Sequence, residues 1–248
     1  MSAVLALDGV VLARGGSRVL DGADLRLERG ERLALVGANG AGKTTLLRAL
    51  VGLEKPTAGR VGAFGRPCAD EPDFRTVRRR VGLLFQDPDD QLFCPTVQED
   101  VAFGPLNLGE TPKAAFATAR ATLDRLGLDH LAERITHRLS GGEKRLVALA
   151  GLLAMAPEVL LLDEPTNALD DANRARMLDL LAGLDATMLI VSHDRPALER
   201  LATRAVVLQG GRLEPAIIHR HPCPTPALHI HGLDDDHRHE LETAARRA

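Results

Sequence analysis

The chain has 248 residues, 45% of them apolar and 26% charged, with a formal net charge of −3. This composition is typical of a soluble globular protein, and the length fits one large domain, or one domain plus a subdomain and a tail. The charge gives no reason to expect nucleic acid as a partner. The longest apolar run, Leu146 to Ala156, is shorter than the ~20 residues of a membrane span. Residues Met1 to Val10 carry Asp8 and lack the basic n-region and cleavage site of a signal peptide, and the 3 scattered cysteines fit a reducing cytosol, so we do not expect secretion.

Short apolar runs alternate with helix-like segments along most of the chain. This alternation predicts an α/β fold, in which a mostly parallel sheet carries helices on its faces. The predicted strands lie at 33–36, 81–85, 159–163, 188–192 and 206–208.

Strand signals are weak between residues 87 and 156, and helix signals replace them. Thr111-Pro112 is a helix start and Gly127 a plausible helix end, while Ser140 can cap a further helix that runs through Met155. We therefore predict a helical subdomain inserted into the α/β core at about 87–156.

The carboxy-terminal part of the chain differs in composition from the rest. Four prolines lie between Pro215 and Pro226, and six of the 9 histidines fall in the last 30 residues. We expect residues 1–214 to form the folded domain and residues 215–248 to form a mobile, histidine-rich tail.

A glycine-rich segment follows the strand at 33–36 and precedes a helix-like stretch. It matches the pattern G-x-x-x-x-G-K-[ST], in which backbone N–H groups surround phosphate oxygens at a helix amino end. Lys43 would reach the β and γ phosphates of a nucleotide, and Thr44 would bind magnesium. The predicted nucleotide-binding residues of this loop are Gly37, Asn39, Gly40, Ala41, Gly42, Lys43, Thr44 and Thr45.

The strand at 159–163 ends in two carboxylates, Asp163 and Glu164. Because side chains alternate along a strand, the two point to different sides and can take different tasks. We expect Asp163 to hold magnesium through water, and Glu164 to polarise the water that attacks the γ phosphate.

Taken together, these motifs resemble the ATP-binding subunit of ABC transporters over roughly residues 4–214. The family's motifs occur here in its order. They are the phosphate loop, Gln86 after a strand, the signature Ser140-Gly141-Gly142, Asp163-Glu164, the turn Asn167 to Asp170, and His193 after a strand.

The resemblance implies a head-to-tail dimer with two ATP molecules, each bound between the phosphate loop of one chain and the signature of the other. Ser140, Gly141 and Gly142 would then donate to the γ phosphate across the interface. The resemblance also implies roles for three single residues. His193 would hold the γ phosphate, Gln86 would join magnesium and water to the helical subdomain, and Asp170 would line the interface.

Two positions depart from the family pattern. The aromatic residue that usually stacks on adenine falls on Ala13 here, and neighbouring Arg14 can lay its guanidinium plane on the base instead. The signature ends in Glu143 where the family usually has glutamine. We expect this carboxylate to face solvent, Lys144 or Arg145.

Within the family, the block from Gln86 to Pro105 resembles energy-coupling-factor importers, particularly their cobalt and nickel branch. This resemblance implies a subunit at the cytoplasmic face of the membrane, bound to integral membrane subunits and working most simply as a homodimer. The candidate apolar contacts to a membrane partner are Leu92, Phe93, Val97, Val101 and Phe103, about half of which we expect to pack internally.

Alternatives remain open at this point. The pattern does not decide between cobalt and nickel, and it does not exclude a vitamin importer. Soluble ATPases of the same superfamily that act on ribosomes or DNA commonly carry two cassettes or a long coiled coil, and neither is visible here. A metal-storage or sensing protein would leave the ordered motifs unused.

The tail contains three His-x-His pairs, and imidazole is a ligand for nickel, cobalt, zinc and copper. We expect weak binding of transition metals that buffers or senses the ion. The candidate ligands are His219, His221, His229, His231, His237 and His239.

Overall fold

The structure, a computed structural model, describes residues 3–220 and 228–232. Within these ranges the chain forms strands that assemble into two sheets, together with helices on both sides of the larger one. The strands are β1 (Ala3–Arg14), β2 (Ser17–Glu28), β3 (Arg32–Val36), β4 (Ala58–Ala63), β5 (Arg66–Cys68), β6 (Val81–Leu84), β7 (Val159–Asp163), β8 (Thr187–Val191), β9 (Arg204–Gln209), β10 (Arg212–Arg220) and β11 (Leu228–Gly232). The helices are α1 (Lys43–Leu50), α2 (Glu71–Arg78), α3 (Val97–Leu108), α4 (Pro112–Arg125), α5 (Gly141–Ala154), α6 (Asp171–Gly183) and α7 (Arg195–Leu201).

The larger sheet has the order β11-β10-β9-β3-β8-β7-β6, and its five strands from β9 to β6 are parallel. This confirms the predicted α/β core and its five strands. Parallel strands are buried on both faces, and every residue of β7 and β8 is buried accordingly. Their carboxyl ends meet at one edge, where the loops that carry the predicted motifs begin.

Alternate residues of these strands face two different apolar cores. In β7, Leu160 and Leu162 pack against the helices α3 to α6, whereas Val159 and Leu161 pack against α1 and the smaller sheet. The sheet thus separates two apolar cores, and successive side chains of the strand pack alternately into one core and the other.

The smaller sheet is antiparallel, with the order β2-β1-β4-β5. The sequence analysis did not predict it. A two-glycine turn, Gly15-Gly16, joins β1 to β2, and both glycines have positive φ angles of 59° and 82°. Such a pair between apolar runs is a hairpin signal that could have identified this sheet.

Three helices, α3 to α5, occupy the chain between β6 and β7, and we call residues 97–154 the helical segment. Thr111 caps α4 and Ser140 caps α5, as predicted from their sequences. The helix α3 begins at a capping box formed by Thr96 and Glu99. None of the helices in the described ranges is long and apolar enough to cross a bilayer.

The predicted end of the folded domain at residue 214 is wrong, because it lies inside β10. This strand continues through Pro215 to Arg220 and pairs with both β9 and β11. Pairing with β11 begins only at Ala216, so the missing N–H of Pro215 disturbs no bond on that side. The predicted tail therefore contributes two strands to the sheet edge.

Three of the six tail histidines lie in these strands, and the other three lie outside the residues that the structure describes. The register places His219 opposite His229, and His231 opposite Ile217. The side chains of these three histidines, and the whole of His221, His237 and His239, lie outside the described residues. The predicted mobility of the tail does not hold for the residues in these strands, and the predicted metal binding of the tail remains a prediction.

Candidate functional site

The phosphate loop runs from the end of β3 into α1, and its backbone requires glycine. Gly37 has a φ of 149°, and a Cβ there would lie 2.6 Å from the Leu208 carbonyl oxygen. Gly42 has a φ of 104°, and its Cβ would lie 2.5 Å from a methyl carbon of Val19. Only glycine fits both the angles and the space, so the loop can curl before the amino end of α1.

Lys43, the first residue of α1, points its side chain back into this loop. Its Nζ donates to the carbonyl oxygens of Gly37 at 2.8 Å and Ala38 at 3.0 Å, and lies 3.3 Å from His193 Nε2. Burial lowers the pKa of Lys43, and the carboxylates of Glu164 and Asp163 oppose this shift. The loop thus presents a partly desolvated ammonium group to an anionic ligand.

Asp163, the last residue of β7, turns toward the same helix. Its carboxylate accepts a hydrogen bond of 2.6 Å from the Thr44 hydroxyl, and its side chain is buried. Burial raises the pKa of Asp163, while the Thr44 hydrogen bond and the charge of Lys43 lower it. A carboxylate and a hydroxyl therefore meet beside the phosphate loop.

Glu164, the next residue, contacts other groups than Asp163, although both carboxylates border the same cavity. Its backbone has a positive φ of 51°, and its N–H donates to the Val191 carbonyl oxygen at 2.9 Å. The carboxylate accepts a hydrogen bond from the backbone N–H of His193 at 3.2 Å, and its other oxygen lies 3.5 Å from the ring nitrogen Nε2 of His193. The two residues after β7 and β8 thus hold each other in place.

These groups surround one cavity of about 380 Å³. Arg14 lies on its rim, and Gln86 borders both this cavity and a neighbouring one of about 520 Å³. Gly37 and Ala41 are not among its lining residues. The predicted residues that line it are Arg14, Asn39, Gly40, Gly42, Lys43, Thr44, Thr45, Gln86, Asp163, Glu164 and His193.

The signature lies outside the phosphate-loop cavity. Ser140 caps α5, Gly141 borders the neighbouring cavity, and a Cβ on Gly142 would lie 2.6 Å from the Asn173 side chain. Asp170 caps α6 by accepting the Asn173 N–H at 2.7 Å. Gly141 shares the neighbouring cavity with Thr44 and Asp163, but none of these signature and turn residues lines the phosphate-loop cavity. Their predicted interface roles remain predictions.

Arg145 is a site residue that sequence reasoning missed. It is 5% exposed, and its guanidinium donates to the backbone carbonyls of Glu164 at 2.5 Å and Gln86 at 2.6 Å. No short-range pattern signals this role, because both acceptors are backbone atoms far away in sequence. Arg145 links α5 directly to two predicted site residues.

The structure gives the Glu143 carboxylate other partners than the sequence predicted. This carboxylate accepts the Ser140 N–H at 2.7 Å and pairs with Arg134 at 3.1 Å, whereas we had expected solvent, Lys144 or Arg145. Lys144 pairs instead with Asp89 at 2.6 Å. The carboxylate folds back onto the helix amino end because it completes a capping box there.

Comparison with known proteins agrees with this geometry. The ABC transporter family matches residues 20–167, which include the phosphate loop, the signature and both carboxylates. This chain belongs to the ABC transporter ATP-binding proteins. It is therefore an ATPase, with the α/β fold of that family.

Several relatives are similar over most of the chain. A Brucella suis protein, provisionally named an ABC transporter ATP-binding protein, is 58% identical over 94% of this chain and 98% of its own. The nickel import ATP-binding protein NikO of Rhodobacter capsulatus is 46% identical over 87% of this chain and 89% of its own.

Solved structures give the same result. The cbiO1 protein of Clostridium perfringens, described as part of the ABC transporter complex cbiONQ, has 34% identity and a TM-score of 0.75 over 86% of this chain and 87% of its own. The cassette MJ0796 was solved as a dimer after hydrolysis, with ADP and phosphate bound. It has 26% identity and a TM-score of 0.77, and the match covers 85% of this chain and 98% of its own.

We predict that Arg14→Ala weakens ATP binding several-fold, because a guanidinium that stacks on the base contributes about 0.5–2 kcal/mol. Ala13→Tyr should tighten binding by restoring a ring. Both are measured by calorimetry with ATP and with inorganic triphosphate, and Arg18→Ala, a nearby exposed arginine, serves as the control. An equal loss of triphosphate affinity in Arg14→Ala would contradict stacking.

Proposed function

We propose that this ATPase energises the import of a transition-metal ion, nickel or cobalt, as the cytoplasmic-face subunit of an energy-coupling-factor transporter. The assembled phosphate-loop cavity supports the ATPase part of this proposal. The main support for nickel or cobalt as the transported ion is the similarity to a nickel import protein over most of both chains. Likeness to cbiO1 points in the same direction.

The residues around the cavity divide the work of hydrolysis. Lys43 binds the β and γ phosphates from the loop, where its ammonium group is already oriented by two carbonyls. Glu164 accepts the proton of the attacking water, and His193 lies within 3.5 Å of this carboxylate, where it can hold the γ phosphate. Gln86, held through its carbonyl by Arg145, connects this reaction to α5.

The residues also fit a magnesium ion bound with the nucleotide. Magnesium prefers oxygen ligands and is commonly held by one or two carboxylates together with substrate phosphates. The buried Asp163 carboxylate and the Thr44 hydroxyl, 2.6 Å apart, provide such oxygens, and Gln86 borders the same cavity. The ion would neutralise charge on the phosphates.

We infer that two copies of the chain close head to tail around two nucleotides. Ser140, Gly141 and Gly142 lie at the amino end of a 14-residue helix but do not line their own phosphate-loop cavity, so a second copy is the simplest source of a phosphate for them. Asp170 would line the same interface. The related cassette MJ0796 was solved as a dimer with ADP and phosphate, which supports dimer formation.

We predict that Glu164→Gln keeps ATP binding, lowers turnover by about 10²–10⁴-fold and traps a dimer, because the amide keeps the shape but cannot accept the proton. Steady-state ATPase assays and light scattering with ATP measure these effects. Glu158→Gln, at the amino end of β7 and remote from the cavity, is the matched control. Comparable rates in Glu164→Gln and wild type would remove Glu164 from the mechanism.

An apolar surface formed by α3 and the loop that precedes it supports docking to a membrane subunit. Phe93 and Phe103 pack edge to face with centroids 4.6 Å apart, yet they remain 63% and 42% exposed. Val97 and Val101 are fully buried, so these two candidate contacts serve internal packing instead. Together with Leu92, the two rings border a cleft of about 120 Å³, a size that suits one apolar side chain of a docking helix.

Uptake of labelled ions tests the cargo. Cells that lack their own nickel and cobalt import should accumulate one of these ions when they express this chain with the membrane proteins of adjacent reading frames. Lys43→Ala should abolish uptake, because the charge that binds phosphate is lost. Uptake of a vitamin, with neither ion transported, would overturn the metal proposal and leave the ATPase assignment intact.

We also propose that the histidine-rich tail binds transition metals weakly. Replacing its six histidines by asparagine should abolish nickel and cobalt binding in calorimetry and preserve ATPase activity. Substitution is preferable to truncation after Leu213, which would remove most of β10. Binding should weaken below pH ~6.5, since imidazole must be neutral to bind a metal.

The control for the tail variant is His130→Asn with His137→Asn, which removes two exposed histidines of the helical segment. Among the described residues no group of three or more metal-binding side chains occurs, so this control should bind metal like the wild type. Unchanged binding by the six-histidine variant would exclude the tail as the site.

A further inference from the structure

Glu143 and Arg134 lie together beside the signature, at the amino end of α5. Arg134 Nη1 donates to one carboxylate oxygen of Glu143 at 3.1 Å, and the other oxygen accepts the Ser140 N–H at 2.7 Å. A second Arg134 nitrogen donates to the Arg138 carbonyl at 3.4 Å. The carboxylate is thus held between the helix end and a guanidinium group from the preceding loop.

The negative charge of Glu143 lies close to the place where the γ phosphate of a second copy would bind in the proposed dimer. Its hydrogen bonds from Ser140, followed by the charge of Arg134, lower the pKa of this carboxyl, so the group is ionised at neutral pH. In the proposed dimer the neighbouring N–H groups of Gly141 and Gly142 donate to the γ phosphate of the other copy. An unneutralised carboxylate beside them would repel that phosphate.

The capping box on α3 shows that such a box does not need an arginine. Thr96 N–H donates to Glu99 at 2.9 Å, and Glu99 N–H donates back to the Thr96 hydroxyl at 3.3 Å. None of the salt bridges in the described part of the chain involves Glu99. The contact of Arg134 with Glu143 is therefore not a requirement of the cap, and its effect on the Glu143 carboxylate is to balance charge.

We propose that Arg134 is a positioning residue that neutralises Glu143, so that the signature of this chain can receive the γ phosphate of a second copy despite its carboxylate. Arg134 acts through Glu143 and does not itself contact nucleotide. This inference rests on the proposed head-to-tail dimer.

The experiment measures ATP-dependent dimerisation in the Glu164→Gln background by analytical ultracentrifugation. Arg134→Ala should raise the ATP concentration for half-maximal dimerisation about three- to tenfold at about 0.15 M salt. The variant Arg134→Ala/Glu143→Gln should return to within about twofold of the parent, because the amide still closes the capping box without carrying charge. The defect of Arg134→Ala should shrink at about 1 M salt, where the screening length falls to about 3 Å.

Arg120→Ala is the matched control. It removes one positive charge from the same helical segment, where Arg120 pairs with Glu133 at 3.3 Å on an exposed surface. It should dimerise like the parent. ATP affinity of the monomer, measured below the dimerisation range, should be the same in all variants and shows that each is folded.

Three results would overturn the inference. A parent that forms no dimer with ATP removes the proposed homodimer and this inference together. A parent that dimerises while Arg134→Ala behaves identically removes only the inference. A defect in Arg134→Ala that Glu143→Gln does not correct shows that Arg134 acts by structure and not through charge.

Discussion

Parallel pairing of β3, β8, β7 and β6 is the constraint on which the site depends. The register aligns Leu35 with Val191, and Leu162 with both Ile190 and Leu84, so the carboxyl ends of the strands lie at one edge. The phosphate loop, both carboxylates, His193 and Gln86 all follow these ends. A slip of one residue would exchange the two apolar cores and turn Asp163 away from Thr44.

Charge balance inside the cavity depends on the same register. Lys43 loses hydration where it is buried, and loop carbonyls replace the lost water as hydrogen-bond partners. Asp163 is likewise buried and is compensated by the Thr44 hydroxyl. These contacts hold the polar groups oriented before a nucleotide arrives, so little reorganisation is needed when it binds.

The helical segment is connected to this cavity through α5. Arg145 bridges the carbonyls of Glu164 and Gln86, and Lys144 pairs with Asp89 in the loop that follows β6. The same helix carries the signature at its amino end and borders the cleft beside Phe93 and Phe103. A displacement of α5 therefore acts on the predicted base, on the signature and on the exposed apolar surface together.

The amino-acid sequence alone was enough to predict the parallel core, the phosphate loop and the two carboxylates at the end of β7. These features depend on contiguous residues, because glycine geometry and strand alternation act over a few positions. Three features were settled only by the tertiary structure: the continuation of β10 past Pro215, the bridge made by Arg145 and the pairing of Glu143 with Arg134. Each of these contacts depends on a backbone or charged group that tertiary packing brings close. No local sequence pattern identifies that partner.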